Sequence, residues 1–354
     1  MFLPPPYAID IGDRTMKIAQ LAPLRWWHRA TPTPRFRTLV SVDLDAGWVV
    51  DGTLRDPAPL AALLRKTIAA TPRFHRSSFA VTTLPENRTF LTTVVIAPEG
   101  NETREAALRR VVRAAVPIDA ARAVITSTPI PGDTNRVAIA AVPTDVVESY
   151  ASLFESVGLT PIACVSEAEA LAGAIAFLPA PEGTGATLIL DLGATRTGAV
   201  MTTASVVIAS ITIPLSGEQL TAALAAKLKI DPTAAERAKR DVDCTRAGHD
   251  DPAATAIAHA LTPLIDGIAR LREFVTSRFA APLQPTRIVL TGGGAALTGL
   301  DEFLREKTKL PVTRFAISSG QSEADQHLTS TFATAFGLSR IALDPAAALA
   351  TSPL

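Results

Sequence analysis

The strongest constraint in this sequence is a motif of two apolar segments joined by a polar turn, which occurs at residues 8–19 and again at 189–200. Each copy places one aspartate inside its first apolar segment, Asp10 or Asp191, and a glycine two positions later. Burying a carboxylate is unfavourable unless it meets a cation or several hydrogen-bond donors. Glycine lets the backbone turn tightly and approach a ligand closely. Two such hairpins predict two related halves that hold one charged ligand between them.

The residues of the turns indicate a phosphate group as the ligand. Turn N–H groups bind phosphate oxygens, and an ammonium group adds a point charge. The side chains that can assist are three threonines and one lysine: Thr15, Thr195, Thr197 and Lys17. Asp10 and Asp191 are the expected Mg²⁺ residues, acting through water, because Mg²⁺ keeps several waters and takes one or two carboxylates. A single hairpin of this kind is usually only a turn, so the prediction depends on the repetition.

Composition limits the class of protein. At 354 residues the chain exceeds the size at which a single core usually keeps growing, so two lobes are expected. Apolar residues make up 47%, which supports packed cores, and the balance of 34 basic and 34 acidic residues gives no indication of a nucleic-acid partner. Cys164 and Cys244 lack metal-site spacing, and no secretory signal or membrane-spanning segment is recognised. The sequence therefore predicts a cytoplasmic protein.

Alternating strands and helices in both halves predict α/β lobes. A β-α-β-β-α block at 86–160 is distinct enough to form a module, with a helix from Asn101 to Val116. Proline and glycine residues at 179–183 mark a boundary between lobes. One continuous helix is predicted over 253–280 and a last helix over 324–341. The resulting division is 1–85 and 161–180 for the first lobe, 86–160 for the inserted block, 181–343 for the second lobe and 344–354 for a loose tail.

A glycine-rich turn near the end of the chain supplies a third element. Gly292, Gly293 and Gly294 follow a predicted strand and precede a predicted helix, which suits close approach of the backbone to a nucleotide. The spacing does not match the Rossmann fingerprint, and the chain contains no GxxxxGK[ST] sequence of a P-loop. Glu236 and Lys239 lie three residues apart on a predicted helix, where a solvated ion pair is the simplest interpretation.

Taken in order, these elements resemble the actin-like ATPase superfamily and, within it, the PilM-like type IV pilus assembly proteins, which are related to the cell-division protein FtsA. The block at 86–160 is the most discriminating part, because Val95-Ile96-Ala97-Pro98 and Val116-Pro117-Ile118 match the PilM pattern. The resemblance covers residues 7 to about 341. It implies an α/β, actin-like ATPase fold of two lobes, with an FtsA/PilM-type subdomain, called 1C, inserted in the first lobe.

The resemblance also implies a pocket for ATP and Mg²⁺ between the lobes, with one hairpin in each wall. The first wall would contain Asp10, Gly12, Arg14, Thr15 and Lys17. The second would contain Asp191, Gly193, Ala194, Thr195 and Thr197. Glu236 and Lys239 would lie near the ribose, and Gly292, Gly293 and Gly294 beside the adenosine. The candidates for hydrolysis are Asp191 and Glu167, since phosphoryl transfer to water needs a group that positions the nucleophile.

The first turn departs from the family pattern. That turn is usually rich in serine, whereas this chain has Asp13-Arg14-Thr15. A carboxylate about 6 Å from a phosphate costs roughly 2–3 kcal/mol at an effective dielectric constant near 20. Nucleotide affinity is therefore expected to fall unless Asp13 points away, or Arg14 and Mg²⁺ offset its charge.

By the same resemblance, the expected function is a cytoplasmic scaffold of the type IV pilus machinery, peripheral at the inner membrane, with at most weak ATP hydrolysis. The implied partner is the cytoplasmic N-terminal peptide of PilN, held between subdomains 1A and 1C, and through it the PilN/PilO/PilP complex; self-association stays open. The alternatives are a small-molecule kinase of the same superfold, an FtsA-like cell-division protein, and a structural protein with a degenerate pocket. The tail at 344–354 is neither basic nor strongly amphipathic, which favours PilM over FtsA.

An aromatic and basic patch precedes the third predicted strand, with Trp26, Trp27 and His28 flanked by Arg25 and Arg29. Such patches favour interfaces with lipid headgroups or partner proteins. The competing interpretation is a strand end with one tryptophan buried in the lobe.

Overall fold

A computed structural model describes residues 4–22, 36–72, 76–179, 185–248, 251–279, 283–317, 329–343 and 352–353. The chain forms two compact units. The first comprises Met1–Phe177, Ala204–Ile208 and Thr334–Leu354, and the second comprises Leu178–Thr203 and Ala209–Ala333. A short turn and most of the last helix therefore belong to the first unit, although the sequence-based division placed them in the second lobe. The patch at Trp26 and Trp27 lies outside the described residues.

The first unit alternates strands and helices. Its described elements are β1 (Tyr7–Ile11), β2 (Thr15–Leu21), β3 (Phe36–Asp43), β4 (Val49–Val50), β5 (Thr53–Leu54), α1 (Pro57–Ala70), β6 (Phe79–Leu84), β7 (Phe90–Val95), α2 (Arg104–Ala115), β8 (Ala123–Ile130), β9 (Asp133–Pro143), α3 (Thr144–Ser156), β10 (Thr160–Ser166) and α4 (Glu167–Ile175). Five of the strands form a sheet in the order β10-β6-β1-β2-β3. Strand β1 pairs antiparallel with β2 and parallel with β6.

The core of this unit lies on the central sheet. All five residues of β1 are buried, because the strand has neighbours on both sides and helices packed against it. The apolar stripe of α1 contributes Leu60 and Leu64, and that of α3 contributes Tyr150 and Phe154. These side chains fix the position of the turn between β1 and β2, which carries the first predicted site residues.

The inserted block forms a small sheet of its own, with strands β7, β8 and β9 covered by α2. Its core contains Val94, Val112 and Ile139. Helix α2 begins at Arg104 rather than at the predicted Asn101, because the hydroxyl of Thr103 accepts the N–H of Ala106 at 3.2 Å and caps the helix. The β-α-β-β-α order predicted for this block is otherwise the observed one.

The second unit follows the same plan. Its described elements are β11 (Ala186–Leu192), β12 (Thr197–Thr203), β13 (Val206–Ile213), α5 (Gly217–Leu228), α6 (Pro232–Asp241), α7 (Pro252–Ala260), α8 (Thr262–Arg278), β14 (Pro285–Thr291), α9 (Leu300–Thr308) and β15 (Val312–Arg314). The sheet order is β13-β12-β11-β14-β15. Strand β11 pairs antiparallel with β12 and parallel with β14, as β1 does with β2 and β6. The repetition predicted from two hairpins therefore extends to two whole sheets.

Two predicted helices differ from the observed ones. The expected helix over 253–280 is two helices, α7 and α8, which meet at Leu261. Pro263 lies in the first turn of α8, where its missing N–H is tolerated, whereas inside one long helix it would remove a backbone hydrogen bond. The last helix, α10, spans Ala333–Leu343, and residues 324–328 of the predicted helix lie outside the described ones.

Most of the tail predicted to be loose also lies outside the described residues. Its described part is strand β16 (Ser352–Pro353), which pairs antiparallel with β8 at the edge of the inserted block. Within the described parts of the chain, no helix is both long enough and apolar enough to cross a membrane.

Candidate functional site

In the first hairpin, Asp10 is held by two side chains of its own unit. The carboxylate is 8% exposed, and the strand register places Lys17 directly opposite it. The ammonium nitrogen of Lys17 lies 3.7 Å from Oδ2 of Asp10, and the hydroxyl of Thr83, near the end of β6, donates to Oδ1 at 3.1 Å. Nearly complete burial of this carboxylate is therefore compensated by a cation and a donor.

In the second hairpin, Asp191 has a corresponding threonine, and a glycine takes the register position that Lys17 has in the first. The hydroxyl of Thr291, at the end of β14, donates to Oδ1 of Asp191 at 2.9 Å. The residue opposite Asp191 in the register is Gly198. A Cβ added at Gly198 would have the Cβ of Asp191 as its nearest neighbour, at 4.0 Å. Gly198 itself therefore supplies no side chain opposite Asp191.

Thr83 and Thr291, which donate to the two aspartates, were not among the residues predicted from the sequence. Both lie on the strand that runs parallel to the strand carrying the aspartate. The sequence signal was a threonine near the end of an apolar strand in each half, but the pairing of that strand with the hairpin is a long-range contact.

Each of the two turns is closed by a backbone hydrogen bond of the same kind. The N–H of Gly12 donates to the carbonyl of Thr15, and the N–H of Gly193 donates to the carbonyl of Arg196, both at 2.9 Å. A Cβ at Gly193 would lie 2.8 Å from the Arg196 oxygen, closer than side-chain carbons approach. These two glycine amides therefore shape the turns.

Asp13 is bound to a neighbouring hairpin of the first unit. Its Oδ1 accepts the N–H of Gly52, in the turn between β4 and β5, at 3.0 Å. The adjacent Arg14 is exposed, and its carbonyl accepts the N–H of Leu44 at 2.9 Å. One carboxylate oxygen of Asp13 thus has a structural partner, and the expected loss of nucleotide affinity stays a prediction.

The second turn is held by the start of α5. The N–H groups of Gly217 and Glu218 donate to the carbonyls of Gly193 and Ala194, at 2.9 and 3.0 Å. Ser216 caps the same helix. The first two positions of the turn are therefore fixed to a helix terminus.

Lys239 extends this arrangement to α6. Its ammonium group donates to the carbonyl of Gly217 at 3.0 Å, to the hydroxyl of Thr221 at 2.8 Å and to Oε2 of Glu236 at 2.7 Å. The Lys239 side chain is 13% exposed and that of Glu236 is 45% exposed, so the ion pair is buried on the side of the lysine and reaches solvent on the side of the glutamate. Burial raises the pKa of Glu236, but the bonds from Lys239 and Thr221 lower it more, and the net pKa is below its usual value.

The three glycines after β14 have different environments. Gly292 has a φ of +79°, and a Cβ there would lie 2.5 Å from the carbonyl oxygen of Leu192 and 2.7 Å from Oδ1 of Asp191. A Cβ at Gly294 would lie 2.7 Å from the Cβ of Leu192, whereas one at Gly293 would meet nothing within 4 Å. Gly292 and Gly294 therefore bring this turn against the second hairpin, and helix α9 begins at Leu300.

Thr197 and Glu167 are two further residues that the sequence analysis predicted for the site. Thr197 pairs with Leu192, so its side chain belongs to the face of the hairpin opposite that of Asp191. Its hydroxyl is buried and has no hydrogen-bond partner among the described residues. Glu167 is the first residue of α4, next to the capping residue Ser166, and it belongs to a different unit from Asp191.

Within the part of the chain that the structure describes, no group of three or more histidine, cysteine, aspartate or glutamate side chains could hold a metal ion. A site in which one or two carboxylates hold Mg²⁺ through water has fewer protein ligands than such a group, so Asp10 and Asp191 stay predicted Mg²⁺ residues.

The paired sheets and their aspartate hairpins define a protein of the actin-like ATPase fold, and comparisons with known proteins agree. MreB5 of Spiroplasma citri bound to AMPPNP is similar, with a TM-score of 0.59 at 13% identity over 95% of each chain. EutJ from Carboxydothermus hydrogenoformans has a TM-score of 0.52 at 19% identity, over 95% of this chain and 90% of its own. These likenesses confirm the predicted fold class.

The comparisons also identify the family, which is a smaller group than all proteins of this fold. The chain of a PilM-PilN type IV pilus biogenesis complex matches with a TM-score of 0.75 at 23% identity, over 96% of this chain and 99% of that one. The family described as type IV pilus assembly protein PilM matches residues 8–339. The chain therefore belongs to the PilM family, as the sequence resemblance predicted.

Proposed function

We propose that this chain is a scaffold of the type IV pilus assembly machinery that binds ATP and docks on a short peptide of PilN. The observation that carries the proposal is the family match over residues 8–339, which includes both hairpins and the inserted block. The similar solved structure is a PilM-PilN complex, so a protein of this fold binds PilN. Fold neighbours with bound AMPPNP support a nucleotide as the ligand of the hairpins.

The residues of the second hairpin fit a nucleotide and its Mg²⁺. Gly292 and Gly294 allow the backbone to approach closely, and Gly198 supplies no side chain opposite Asp191. We assign Asp191 to Mg²⁺ through water, and Asp10 as its counterpart in the first hairpin. The ion would neutralise phosphate charge when bound.

The remaining assignments follow the shape of the turns. Gly12 and Gly193 hold the turns in shape, so we assign the phosphate contacts to Arg14, Thr15, Lys17, Ala194 and Thr195, and not to Thr197, whose buried hydroxyl lies on the face opposite Asp191. We assign Glu236 and Lys239 to the ribose side of the nucleotide. Gly292, Gly293 and Gly294 are assigned to its adenosine side. ATP hydrolysis by this arrangement is weak or absent, and Asp191 and Glu167 are the groups to which any turnover is assigned.

The nucleotide assignment is tested by a thermal-shift titration with Mg²⁺-ATP. We expect the melting temperature to rise with ligand concentration in the wild-type chain and much less in Asp191→Ala. Asp266→Ala is the matched control, because Asp266 is an exposed aspartate on α8 of the same unit. A flat titration of the wild-type chain would contradict nucleotide binding.

We assign the PilN peptide to the space between the inserted block and the central sheet of the first unit. These two parts correspond to subdomains 1C and 1A. Val95 and Val124 are exposed apolar residues of the block, 49% and 40% exposed, and are available to such a peptide. An extended peptide can add to a strand or lie in an apolar groove.

The test measures binding of a labelled peptide from the PilN cytoplasmic N-terminus of the same genome, by fluorescence anisotropy. Val95→Asp should weaken binding at least tenfold, about 1.4 kcal/mol. Phe274→Asp in the second unit, at a site 40% exposed, is the control and should bind as the wild type does. Equal affinities for all three proteins would remove the block from the interface.

Through PilN the protein would be cytoplasmic and peripheral at the inner membrane, in contact with the PilN/PilO/PilP complex. Self-association is part of the same proposal. Co-purification from membranes of cells with and without PilN would test the location, since loss of PilN should release the protein.

A further inference from the structure

Lys239 uses all of its hydrogen-bond donors within the second unit. An ammonium group has three N–H donors and no acceptor. Those of Lys239 meet three protein acceptors: the carbonyl of Gly217 at 3.0 Å, the hydroxyl of Thr221 at 2.8 Å and Oε2 of Glu236 at 2.7 Å. Three donors facing three acceptors leave no N–H of this lysine for a hydroxyl of a bound nucleotide.

The three acceptors also contact one another. The hydroxyl of Thr221 lies 2.9 Å from the carbonyl oxygen of Gly217 and 2.5 Å from Oε2 of Glu236, but it has one proton for these two acceptors. Lys239 supplies the protons that the cluster lacks, and its side chain is only 13% exposed, so water replaces it poorly. Removal of the ammonium group would therefore leave polar atoms of the cluster without donors.

Gly217 connects this cluster with the second turn. It is the first residue of α5, and its N–H donates to the carbonyl of Gly193 at 2.9 Å, while its own carbonyl accepts from Lys239. A Cβ at Gly217 would lie 3.4 Å from the Gly193 oxygen and 3.5 Å from the Cα of Ala194, so the helix start lies directly on the turn. A single residue thus separates the ammonium group from the backbone of the turn.

The first N–H groups of α5 are already used by the protein. Those of Gly217 and Glu218 donate to carbonyls of the turn, and that of Gln219 donates to the hydroxyl of Ser216 at 3.1 Å. A free helix N-terminus offers such groups to a phosphate. Because these three N–H groups have protein acceptors, α5 acts on a phosphate by fixing the turn that faces it.

We propose that Lys239 is a positioning residue of the second turn rather than a ligand of the nucleotide. It holds the carbonyl of Gly217, whose N–H holds the carbonyl of Gly193, and the turn continues with Ala194 and Thr195, to which we assign phosphate contacts. This inference rests on the proposed function and adds how its phosphate site is kept in shape.

The inference separates the roles of the two charged residues of α6. The hydrogen bonds of Glu236 with Thr221 and Lys239 both go to Oε2, and the glutamate side chain is 45% exposed. Oε1 of Glu236 is therefore the atom of this pair that a ligand hydroxyl can reach. The assignment to the ribose side then falls on Glu236, and Lys239 acts through the backbone of α5.

The experiment compares two ligands that differ in their phosphates, Mg²⁺-ATP and adenosine, by calorimetric titration of the full chain at a temperature at which each variant is folded. Lys239→Met keeps the apolar stem and removes the ammonium group. A displaced turn should raise the Kd of Mg²⁺-ATP about tenfold and that of adenosine by less than about twofold. Lys227→Met, at an exposed position of α5, is the matched control and should keep both wild-type values.

A second variant decides the question if Lys239→Met proves unfolded by circular dichroism. Thr221→Val removes one acceptor of the ammonium group and leaves the lysine in place. With Lys239 held less firmly, the Kd of Mg²⁺-ATP should rise about threefold and that of adenosine should stay at the wild-type value. An unchanged Kd of Mg²⁺-ATP in this variant would then overturn the inference.

The outcomes distinguish the inference from the proposal on which it rests. If Lys239→Met raises the Kd of both ligands by the same factor, the lysine contacts the nucleoside itself and the inference is wrong. If neither Kd changes, the turn keeps its position without the ammonium group, and the inference is wrong again. In both cases the wild type binds Mg²⁺-ATP and the proposed function stands. A wild type that binds no Mg²⁺-ATP contradicts the proposed function and the inference together.

Discussion

The two hairpins have the same backbone but balance their aspartates differently. In the first, Lys17 lies opposite Asp10 and neutralises it from within the chain. In the second, Gly198 lies opposite Asp191 and adds no charge. Each aspartate accepts a threonine hydroxyl, and the residues opposite the two aspartates differ, lysine in the first hairpin and glycine in the second. A repeated fold can thus keep the same aspartate and change the residue that faces it across the hairpin.

The two units also differ in the residues that follow Thr83 and Thr291, the threonines that donate to the aspartates. After Thr83 the first unit continues with Leu84 and Pro85, and Leu84 is buried. After Thr291 the second unit continues with glycines, and Gly292 contacts the backbone of the hairpin. After Thr291, the glycine backbone of the second unit therefore lies close against its hairpin. The first unit has no glycine at the corresponding place after Thr83.

The largest effect is expected from Gly292→Ala. The added Cβ would collide with the Leu192 carbonyl, and the positive φ is unfavourable for alanine, so we expect a loss of about 3 kcal/mol in the free energy of unfolding. Gly293→Ala is the control, because a Cβ there meets nothing within 4 Å. Urea unfolding of both variants measures the difference, and equal stabilities would show that the turn relaxes freely.

A smaller loss is expected from Lys17→Met, which keeps the apolar stem but removes the cation facing Asp10. The buried carboxylate would keep only its remaining donors, and we expect a loss of about 2 kcal/mol. Lys227→Met, at an exposed position of α5, should change the free energy of unfolding by less than about 0.5 kcal/mol. A Lys17→Met protein as stable as this control would remove the contrast between the hairpins.

Gly198→Lys converts the second hairpin towards the first. A lysine opposite Asp191 would supply the charge that we assign to Mg²⁺, so the gain in ATP affinity on adding Mg²⁺ should fall about tenfold, or 1.4 kcal/mol. Gly198→Ala adds bulk without charge and should retain the wild-type Mg²⁺ dependence. Isothermal titration with and without Mg²⁺ compares the three proteins, and an unchanged dependence in Gly198→Lys would separate Asp191 from the ion.

The smallest effect concerns the ion pair beside the second hairpin. Burial raises the pKa of Glu236, but donation by Lys239 and Thr221 outweighs it, so the folded pKa lies below the usual 4.5. Ionised Glu236 therefore stabilises the fold above that pH, and the contribution is lost as the pH falls through the folded pKa. The melting temperature of Glu236→Gln should lie below that of the wild type at neutral pH, and the gap should close in acid. A gap that widens in acid would contradict this sign.

The sequence predicted the features that local chemistry determines. The hairpins, the glycine turn and most helices follow from apolar periodicity and from the placement of glycine, and the family resemblance assembled them into the right fold. What it missed depends on contacts between distant residues. The bond from Gly52 to Asp13 and the three acceptors of Lys239 exist only once the sheets and helices are packed. Pro263 indicated that the helix predicted over 253–280 is divided at Leu261. The prediction of one helix followed the apolar spacing of this segment instead.

The pairing at the edge of the inserted block has a consequence for how such proteins can be altered. Phe90, at the start of β7, pairs with Ala141, near the end of β9. The chain therefore enters the sheet of the block on β7 and leaves it on the neighbouring β9, about 5 Å away. Such a segment is a cassette: it can be cut out and its ends rejoined by a short turn, or exchanged for the block of a relative, while α3 still carries the chain on to β10. The PilN contact that we propose for the block would move with such an exchange, without rebuilding the sheet beneath.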